Sequence, residues 1–258
     1  MSQKPILGQH WLVDDNHLNQ IITQIDLKSH ETVFEIGTGL GHLTDKLLQT
    51  QATVISLEYD HKLYLKNQNK YSNQAKLILR QGDIRHFPWD SLPNPYKICA
   101  NIPYYLTANL FRQLTDIKNK PNQAVLLIPQ VIAQKLIKLQ KRSLLTVLVQ
   151  TWYEVSPAQV VQAHFFQPPP QIDSQVIHLG LKSQTLELDV WRQFVKLLKF
   201  GFANPRKQLR GNLKHALKLT VQEIDYLLGS LSLDLRVRAE DLTDQQWQQL
   251  FVKLKNNL

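Results

Sequence analysis

The chain has 258 residues, 43% of them hydrophobic, which is enough to bury a core in one large domain or in a large and a small one. Its single cysteine, Cys99, excludes an internal disulfide, and nine histidines without HExxH or CxxC spacing argue against a metal site. The formal net charge of +9 and pI near 9.5 suit a polyanionic partner and disfavour an acidic one.

The N-terminus gives no sign of export or membrane insertion. Residues 1–8 lack the apolar segment of a signal peptide, and the longest aliphatic run, residues 124–128, is far too short to cross a bilayer. We therefore expect a cytoplasmic protein with no membrane partner.

Short β-branched and aliphatic runs alternate with longer amphipathic segments, which is typical of a parallel sheet covered by helices. The sequence therefore predicts the α/β class. The predicted strands cover residues 32–36, 53–57, 76–81, 97–100, 124–128, 155–161 and 175–181. The predicted helices between them cover residues 43–49, 62–69, 108–114 and 131–140.

After residue 181 the strand pattern ends, and helices are predicted at 190–198, 205–217, 221–229 and 243–254. Thr220 and Thr243 each precede Glu or Gln by three residues, the pattern of a capping box. We therefore expect two domains, a sheet domain over residues 1–183 and a small helical domain over residues 184–258.

A glycine-rich turn follows the first long strand. Glu35-Ile36-Gly37-Thr38-Gly39-Leu40-Gly41 passes from strand to helix, and its glycines permit the close ligand approach that a Cβ would block. The spacing is G-x-G-x-G, whereas a dinucleotide site uses G-x-G-x-x-G, so hydride transfer is disfavoured. The turn instead predicts a nucleoside site.

Two acidic residues end the next two strands. Glu58 lies about 20 residues beyond the glycines, where a carboxylate accepts hydrogen bonds from a ribose diol. Asp83 follows at the same edge of the predicted sheet and can accept from an adenine amine, although a Gly-Asp pair is also an ordinary turn.

The fourth strand leads into Asn101-Ile102-Pro103-Tyr104. Pro103 stiffens the turn and cannot donate a hydrogen bond, so Asn101 Oδ1 and the Ile102 carbonyl can hold the two hydrogens of an adenine N6 amine. Tyr104 can stack on an extruded base. Together with the glycine turn, this motif predicts methyl transfer from S-adenosylmethionine to adenine by orientation and electrostatics.

A second rigid loop, residues 165–174, contains two phenylalanines and three consecutive prolines. Phe166 is predicted to close the other face of the extruded base, and the alternative is a proline-rich connection before the last strand.

Two long segments contain basic residues but no Asp or Glu, residues 117–153 and 190–222. They favour a nucleic-acid surface over evenly spread solubilising charge, although a basic run can be only a solvated helix face. The candidate RNA contacts in them are Lys135, Lys138, Arg142, Arg206, Lys207, Arg210 and Lys214.

In this order and combination the motifs resemble those of the ribosomal RNA adenine N6,N6-dimethyltransferase family, most closely its small-subunit (16S) KsgA-type branch. The residues 8–12 resemble the family's G-Q-N-F-L, the residues 202–210 its F-x-x-R-R-K-T-L-R, and the residues 238–242 its R-A-E-x-L. The resemblance implies a class I S-adenosylmethionine-dependent methyltransferase fold, a Rossmann-like mixed seven-stranded sheet with a small all-helical C-terminal domain.

By this resemblance the cofactor S-adenosylmethionine, without a metal, would bind residues spread over five motifs. They are Gln9, His10 and Leu12 at its methionine part, Gly37 and Gly39 at its backbone, Glu58 at its ribose, Asp83 at its adenine, and Asn101 near the reacting group. Asn101, Tyr104 and Phe166 would hold the base. The implied substrate is two adjacent adenosines in the 3′-terminal hairpin loop of small-subunit rRNA, methylated by a monomer on the pre-30S particle.

Several departures and rivals remain. His10 and Trp11 stand where the family has Asn and Phe, Pro129-Gln130-Val131 replaces Gln-Lys-Glu, and Tyr105 replaces a small polar residue. The rivals are a resistance-type 23S rRNA adenine methyltransferase, a DNA adenine methyltransferase, and a catalytically silent RNA- or DNA-binding assembly or transcription factor. The C-terminal matches favour the small-subunit enzyme.

Overall fold

The computed structural model describes residues 9–183 and 186–257, and these form nine strands and ten α-helices. The strands are β1 Trp11–Leu12, β2 Thr32–Ile36, β3 Thr53–Glu58, β4 Leu77–Gln81, β5 Lys97–Asn101, β6 Gln123–Pro129, β7 Tyr153–Val161, β8 Phe166–Gln167 and β9 Ser174–Leu181. The helices are α1 Asp15–Ile25, α2 His42–Gln49, α3 His61–Lys70, α4 Thr107–Asp116, α5 Gln130–Ile137, α6 Leu144–Trp152, α7 Leu188–Gly201, α8 Leu209–Leu217, α9 Val221–Ser230 and α10 Asp244–Leu254.

Seven strands form one mixed sheet in the order β4-β3-β2-β5-β6-β9-β7. The first five are parallel, β9 runs antiparallel to β6, and β7 antiparallel to β9. Phe34 in β2 lies beside Ile55 of β3 and Ile98 of β5, which carries the buried core across three strands. The mixed seven-stranded α/β sheet predicted from the sequence is confirmed.

The parallel arrangement brings the carboxyl ends of β2, β3, β4 and β5 to one edge of the sheet. Strands β2, β5 and β6 are buried almost throughout, as expected for strands covered by helices on both faces. The polar residues that end these strands therefore lie together at the carboxyl-terminal edge of the sheet.

The described chain divides into two compact units. One, here called the sheet unit, comprises residues 9–134 and 153–182, and the other, the helical unit, comprises residues 135–152, 183 and 186–257. The sequence analysis placed a single boundary after residue 183, whereas residues 135–152 belong to the helical unit. They do so because α6 packs on α7, where the Trp152 and Trp191 rings lie 5.3 Å apart.

The other differences concern helices. Helix α5 ends at Ile137, three residues before the predicted end, and Lys141 adopts a left-handed φ of 48°. Helix α8 begins only at Leu209, after a turn through residues 205–208. Helices α1 and α6 and the small β1–β8 pair were not predicted. The capping boxes at Thr220 and Thr243 are confirmed.

Among the described helices, none combines the length and the apolar character needed to cross a membrane.

Candidate active site

The glycine turn joins β2 to α2 and forms the floor of a cleft at the carboxyl edge of the sheet. Gly37 and Gly39 have left-handed φ angles of 84° and 56°, which L side chains rarely adopt. A Cβ on Gly39 would also lie 2.7 Å from two atoms of the Trp11 indole ring. Glycine is thus required at position 39 for two reasons: the left-handed backbone angle and the Trp11 ring packed against it.

Glu58 fastens this turn at its carboxylate. Its Oε2 accepts from the Gly39 amide at 2.8 Å and its Oε1 from the Asp60 amide at 2.8 Å. The side chain lines the cleft yet is only 3% exposed, and burial raises its pKa although the backbone amides oppose the shift. Each oxygen retains a free lone pair, so the carboxylate can still accept a ribose hydroxyl.

Two residues that the sequence analysis did not assign also hold the turn. Asn67 of α3 is buried and donates from Nδ2 to the Gly39 carbonyl at 2.9 Å. Glu35 lies beneath the turn, fully buried, and accepts at Oε2 from Thr44 at 2.8 Å and from Ser56 at 2.6 Å. Burial raises the pKa of Glu35 to about 8, so this carboxyl group is protonated at neutral pH. Glu35 was visible in the motif, whereas nothing in the sequence distinguishes Asn67.

Asp83 lines the cleft, and both of its carboxylate oxygens accept hydrogen bonds from Arg85. The guanidinium and amide of Arg85 make two contacts with each carboxylate oxygen, between 2.5 and 3.0 Å. These hydrogen bonds lower the pKa of Asp83, and burial opposes the shift. Arg85 was not predicted to line this cleft.

The Asn101–Tyr104 turn follows β5, which pairs with β2, and it lines the same cleft as the glycines. Asn101 donates from Nδ2 to the His10 carbonyl at 2.9 Å, which holds the side-chain amide in place. Its Oδ1 has no hydrogen-bond partner among the described residues. Tyr104 donates from its hydroxyl to the Ile172 carbonyl at 3.1 Å and lies 2.9 Å from Ser174 Oγ. The aromatic ring is thus held at the cleft wall.

The N-terminal segment closes another side of the cleft. Gln9, His10 and Leu12 all line it, while Gly8 lies outside the described residues. His10 Nδ1 lies 2.8 Å from the Pro168 carbonyl, and its ring centroid lies 5.5 Å from that of Tyr104. His10 therefore joins the N-terminal strand, the Asn101–Tyr104 turn and the proline loop.

The prediction for Phe166 is wrong in this structure. Its side chain is 3% exposed and belongs to the hydrophobic core of the sheet unit, with Leu12 and Leu18. The cause is the pairing of β8 with β1, in which Phe166 stands opposite Leu12. Phe166 is not among the described residues that line the cleft, and its side chain packs in the core instead.

Arg142 is also corrected. The residue is 4% exposed, and its guanidinium donates to Asp244 at 2.5 Å, to Gln150 at 3.2 Å and to the Leu242 carbonyl. Arg142 does not lie on the predicted basic helix face, because α5 already ends at Ile137. Arg142 holds the helical unit together and cannot contact RNA.

The remaining candidate RNA contacts are at the surface of their segments. Lys135, Lys138, Arg206, Lys207 and Lys214 are exposed. Arg210 is partly buried, with a guanidinium nitrogen 3.7 Å from an Asp225 carboxylate oxygen, so its charge is partly neutralised. Their RNA contacts stay a prediction.

The described residues contain no group of three or more His, Cys, Asp or Glu side chains that could hold a metal ion. The cleft instead offers backbone amides, glycines without Cβ, two carboxylates and aromatic rings. These groups fit a nucleoside bearing an amino-acid chain, because the polar atoms match a ribose and a purine and the rest of the lining is largely apolar.

The sheet order and the glycine turn with its acidic partner one strand away define the fold of a class I S-adenosylmethionine-dependent methyltransferase. The sequence profile of the family described as ribosomal RNA adenine dimethylase matches residues 1–256. The chain belongs to this family.

Similar proteins agree over almost the whole length. The ribosomal RNA small subunit methyltransferase A of Dehalococcoides mccartyi strain CBDB1 is 34% identical over 256 residues, covering 97% of this chain and 88% of that protein. The protein of the same name from Nostoc sp. strain PCC 7120 is 30% identical, covering 99% and 97%.

Two crystal structures share the fold. A dimethyladenosine transferase from Plasmodium falciparum superposes with a TM-score of 0.83 at 24% identity, covering 96% of this chain and 98% of that one. The 23S rRNA methyltransferase ErmE superposes with a TM-score of 0.75 at 21% identity, covering 95% and 99%.

Proposed function

We propose that this protein dimethylates N6 of two adjacent adenosines in the 3′-terminal hairpin loop of small-subunit rRNA, with S-adenosylmethionine as methyl donor. The observation that carries the proposal is the fixed amide of Asn101. Its Nδ2 donates to the His10 carbonyl, which leaves Oδ1 available as an acceptor on a residue that lines the cleft. An exocyclic amine is the group that such an acceptor recognises.

Adenine N6 is a poor nucleophile because its lone pair is delocalised into the ring. Asn101 Oδ1 and the Ile102 carbonyl accept the two N6 hydrogens and so turn the lone pair toward the methyl group. This is catalysis by orientation and preorganised dipoles, and it requires no strong base in the cleft. Tyr104, held by Ile172 and Ser174, supplies an aromatic face for the extruded base.

The cofactor supplies a methyl group on a sulfonium. Gly37 and Gly39 admit its chain close to the backbone, Glu58 accepts from its ribose, and Asp83 accepts from its adenine amine. Gln9, His10 and Leu12 border its methionine part. The support is that all seven of these residues line one cleft.

The second methylation uses the same site, but the monomethylated amine has one hydrogen fewer to donate. Monomethyl-N6 keeps a single hydrogen, so only one of the two acceptors is then satisfied and the first methyl occupies part of the cleft. We propose that Asn101 accepts this remaining hydrogen, so that both transfers depend on it.

Small-subunit rRNA is the proposed substrate because the relatives at 30–34% identity carry that name, whereas ErmE shares 21% identity and only the fold. The exposed lysines and arginines of the helical unit and of α5 are proposed to bind rRNA phosphates. The protein is proposed to act as a cytoplasmic monomer on the pre-30S particle.

The test is transfer of labelled methyl groups from S-adenosylmethionine to unmethylated small subunits, with large-subunit RNA and adenine-bearing DNA as competitors. Reverse-transcription stops at two adjacent adenosines in the loop of the 3′ hairpin would support the proposal. Label in large-subunit RNA would indicate the resistance-type enzyme, and cofactor binding without transfer would indicate a binding factor.

Asn101→Ala tests the role of the amide. Both transfers should fall by about a hundredfold or more, while titration calorimetry with S-adenosylhomocysteine should still detect binding. Asn109→Ala is the matched control, because Asn109 is exposed on α4 and its side chain accepts a hydrogen bond from Gln113, away from the cleft lining given for the described residues. Ordinary turnover by Asn101→Ala would refute the amine-holding role.

A further inference from the structure

The adenine end of the cleft contains an ion pair that the proposed function does not use. All four contacts that Asp83 receives from Arg85 fall on its carboxylate, two on each oxygen. A carboxylate has about four lone-pair positions. These contacts come from three N–H groups, because the Nε–H is shared between the two oxygens, and two of the three belong to the guanidinium. An adenine amine that approaches Asp83 therefore meets a carboxylate most of whose acceptor positions are already occupied.

We propose that Arg85 competes with the adenine amine for Asp83, and that its displacement sets the cofactor affinity of this protein. The inference rests on the proposed function, since it takes Asp83 as the acceptor of the adenine amine. Arg85 is a positioning residue here and takes no part in methyl transfer.

The surroundings of Arg85 allow this exchange. Its side chain is 50% exposed, whereas that of Asp83 is 18% exposed, so the guanidinium can leave while the carboxylate stays. Two tyrosines of the same cleft lining, Tyr59 and Tyr105, are each 57% exposed. Their rings offer a released guanidinium an alternative contact.

Arg85→Met removes the guanidinium donors and retains most of the apolar stem. S-adenosylhomocysteine should then bind about two- to fivefold more tightly, the range expected when a partly exposed ion pair no longer has to be broken. Added salt should reduce the difference in S-adenosylhomocysteine affinity between the two proteins, because screening weakens the Asp83–Arg85 pair, which only the unsubstituted protein has. Arg192→Met is the matched control, since Arg192 pairs with Asp189 on an exposed helix surface.

A deaminated ligand makes the test independent of general effects on the cleft. S-inosylhomocysteine carries an oxygen in place of the amine, so it can accept from Arg85 and does not need Asp83. Arg85→Met should therefore weaken this ligand about two- to fivefold while it tightens S-adenosylhomocysteine.

Titration calorimetry with both ligands, at low and high salt, gives the result. Opposite shifts for the two ligands support competition. Unchanged affinities, shifts in the same direction, or weaker binding of S-adenosylhomocysteine by Arg85→Met would overturn it. Failure of the unsubstituted protein to bind S-adenosylhomocysteine would instead refute the proposed function and, with it, the basis of this inference.

Discussion

Replacing Glu35 by Gln should remove most of the pH dependence of the stability of the sheet unit. Glu35 is fully buried, and its pKa is raised from 4.5 to about 8, chiefly by burial. Between these two values the folded protein holds a proton that the unfolded chain releases. The contribution of Glu35 to stability is therefore fully present below about pH 4.5 and is lost as the pH rises toward 8.

The magnitude follows from the size of this window. Each pH unit inside it costs about 1.4 kcal/mol of unfolding free energy for one fully shifted group. From about pH 5.5 to about pH 7.5 the protein should thus lose about 3 kcal/mol through Glu35 alone. Glu58, whose pKa is also raised, contributes in the same direction and remains in the variant.

Gln at position 35 keeps the two hydrogen bonds from Thr44 and Ser56 to its oxygen. Its amide nitrogen takes the place of Oε1, which has no partner among the described residues. Since the protonated carboxyl group already leaves Oε1 without a partner, the amide adds one further unpaired N–H, which costs about 1–3 kcal/mol. Glu35→Gln should therefore be the less stable protein near pH 5.5 and should equal or exceed the unsubstituted protein near pH 7.5.

Urea unfolding by circular dichroism at a series of pH values gives the two curves, and hydrogen exchange of the β2 amides assigns the change to the sheet unit. If the unfolding free energy changed equally with pH in both proteins, the reasoning would be refuted, because Glu35 would then be ionised in the folded state.

Two further pairs of substitutions test the cleft and the helical unit. Gly39→Ala should weaken S-adenosylhomocysteine binding about tenfold or more, because its Cβ meets Trp11 in addition to the left-handed strain; Gly37→Ala, which has the strain but no atom within 4 Å, should lose less, and calorimetry showing equal losses would contradict this. Arg142→Met should lower the unfolding free energy of the helical unit by about 2–4 kcal/mol, whereas Lys138→Met should weaken rRNA binding in filter assays without changing stability; an unchanged urea midpoint for Arg142→Met would contradict its structural role.

The sheet could be predicted from the sequence because buried parallel strands appear as short aliphatic runs. Helix α6 could not, since all residues from Thr146 to Trp152 are buried, so the helix has no exposed face and its few polar residues do not mark one. Helix α1 does have the period, with Leu18, Ile21 and Ile25 buried, and was overlooked.

The site was predictable to the extent that its residues end strands. Glu58, Asp83 and Asn101 reach the cleft because the carboxyl ends of parallel strands share an edge. Arg142 and Phe166 failed for another reason, since whether a side chain faces solvent depends on segments far away in the sequence. The partners that bury them are Asp244 and Leu12, respectively.

The assignment of residues 135–152 to the helical unit limits how the protein can be divided. The chain passes between the two units three times, after residues 134, 152 and 182. A truncation after residue 182 would keep α6, with its seven buried residues, but remove α7 and α10, on which it packs. Such a fragment would expose an apolar helix and aggregate. A minimal catalytic fragment therefore requires residues 135–152 to be replaced by a short polar linker, and exchange of the helical unit between relatives requires two segments to be exchanged together.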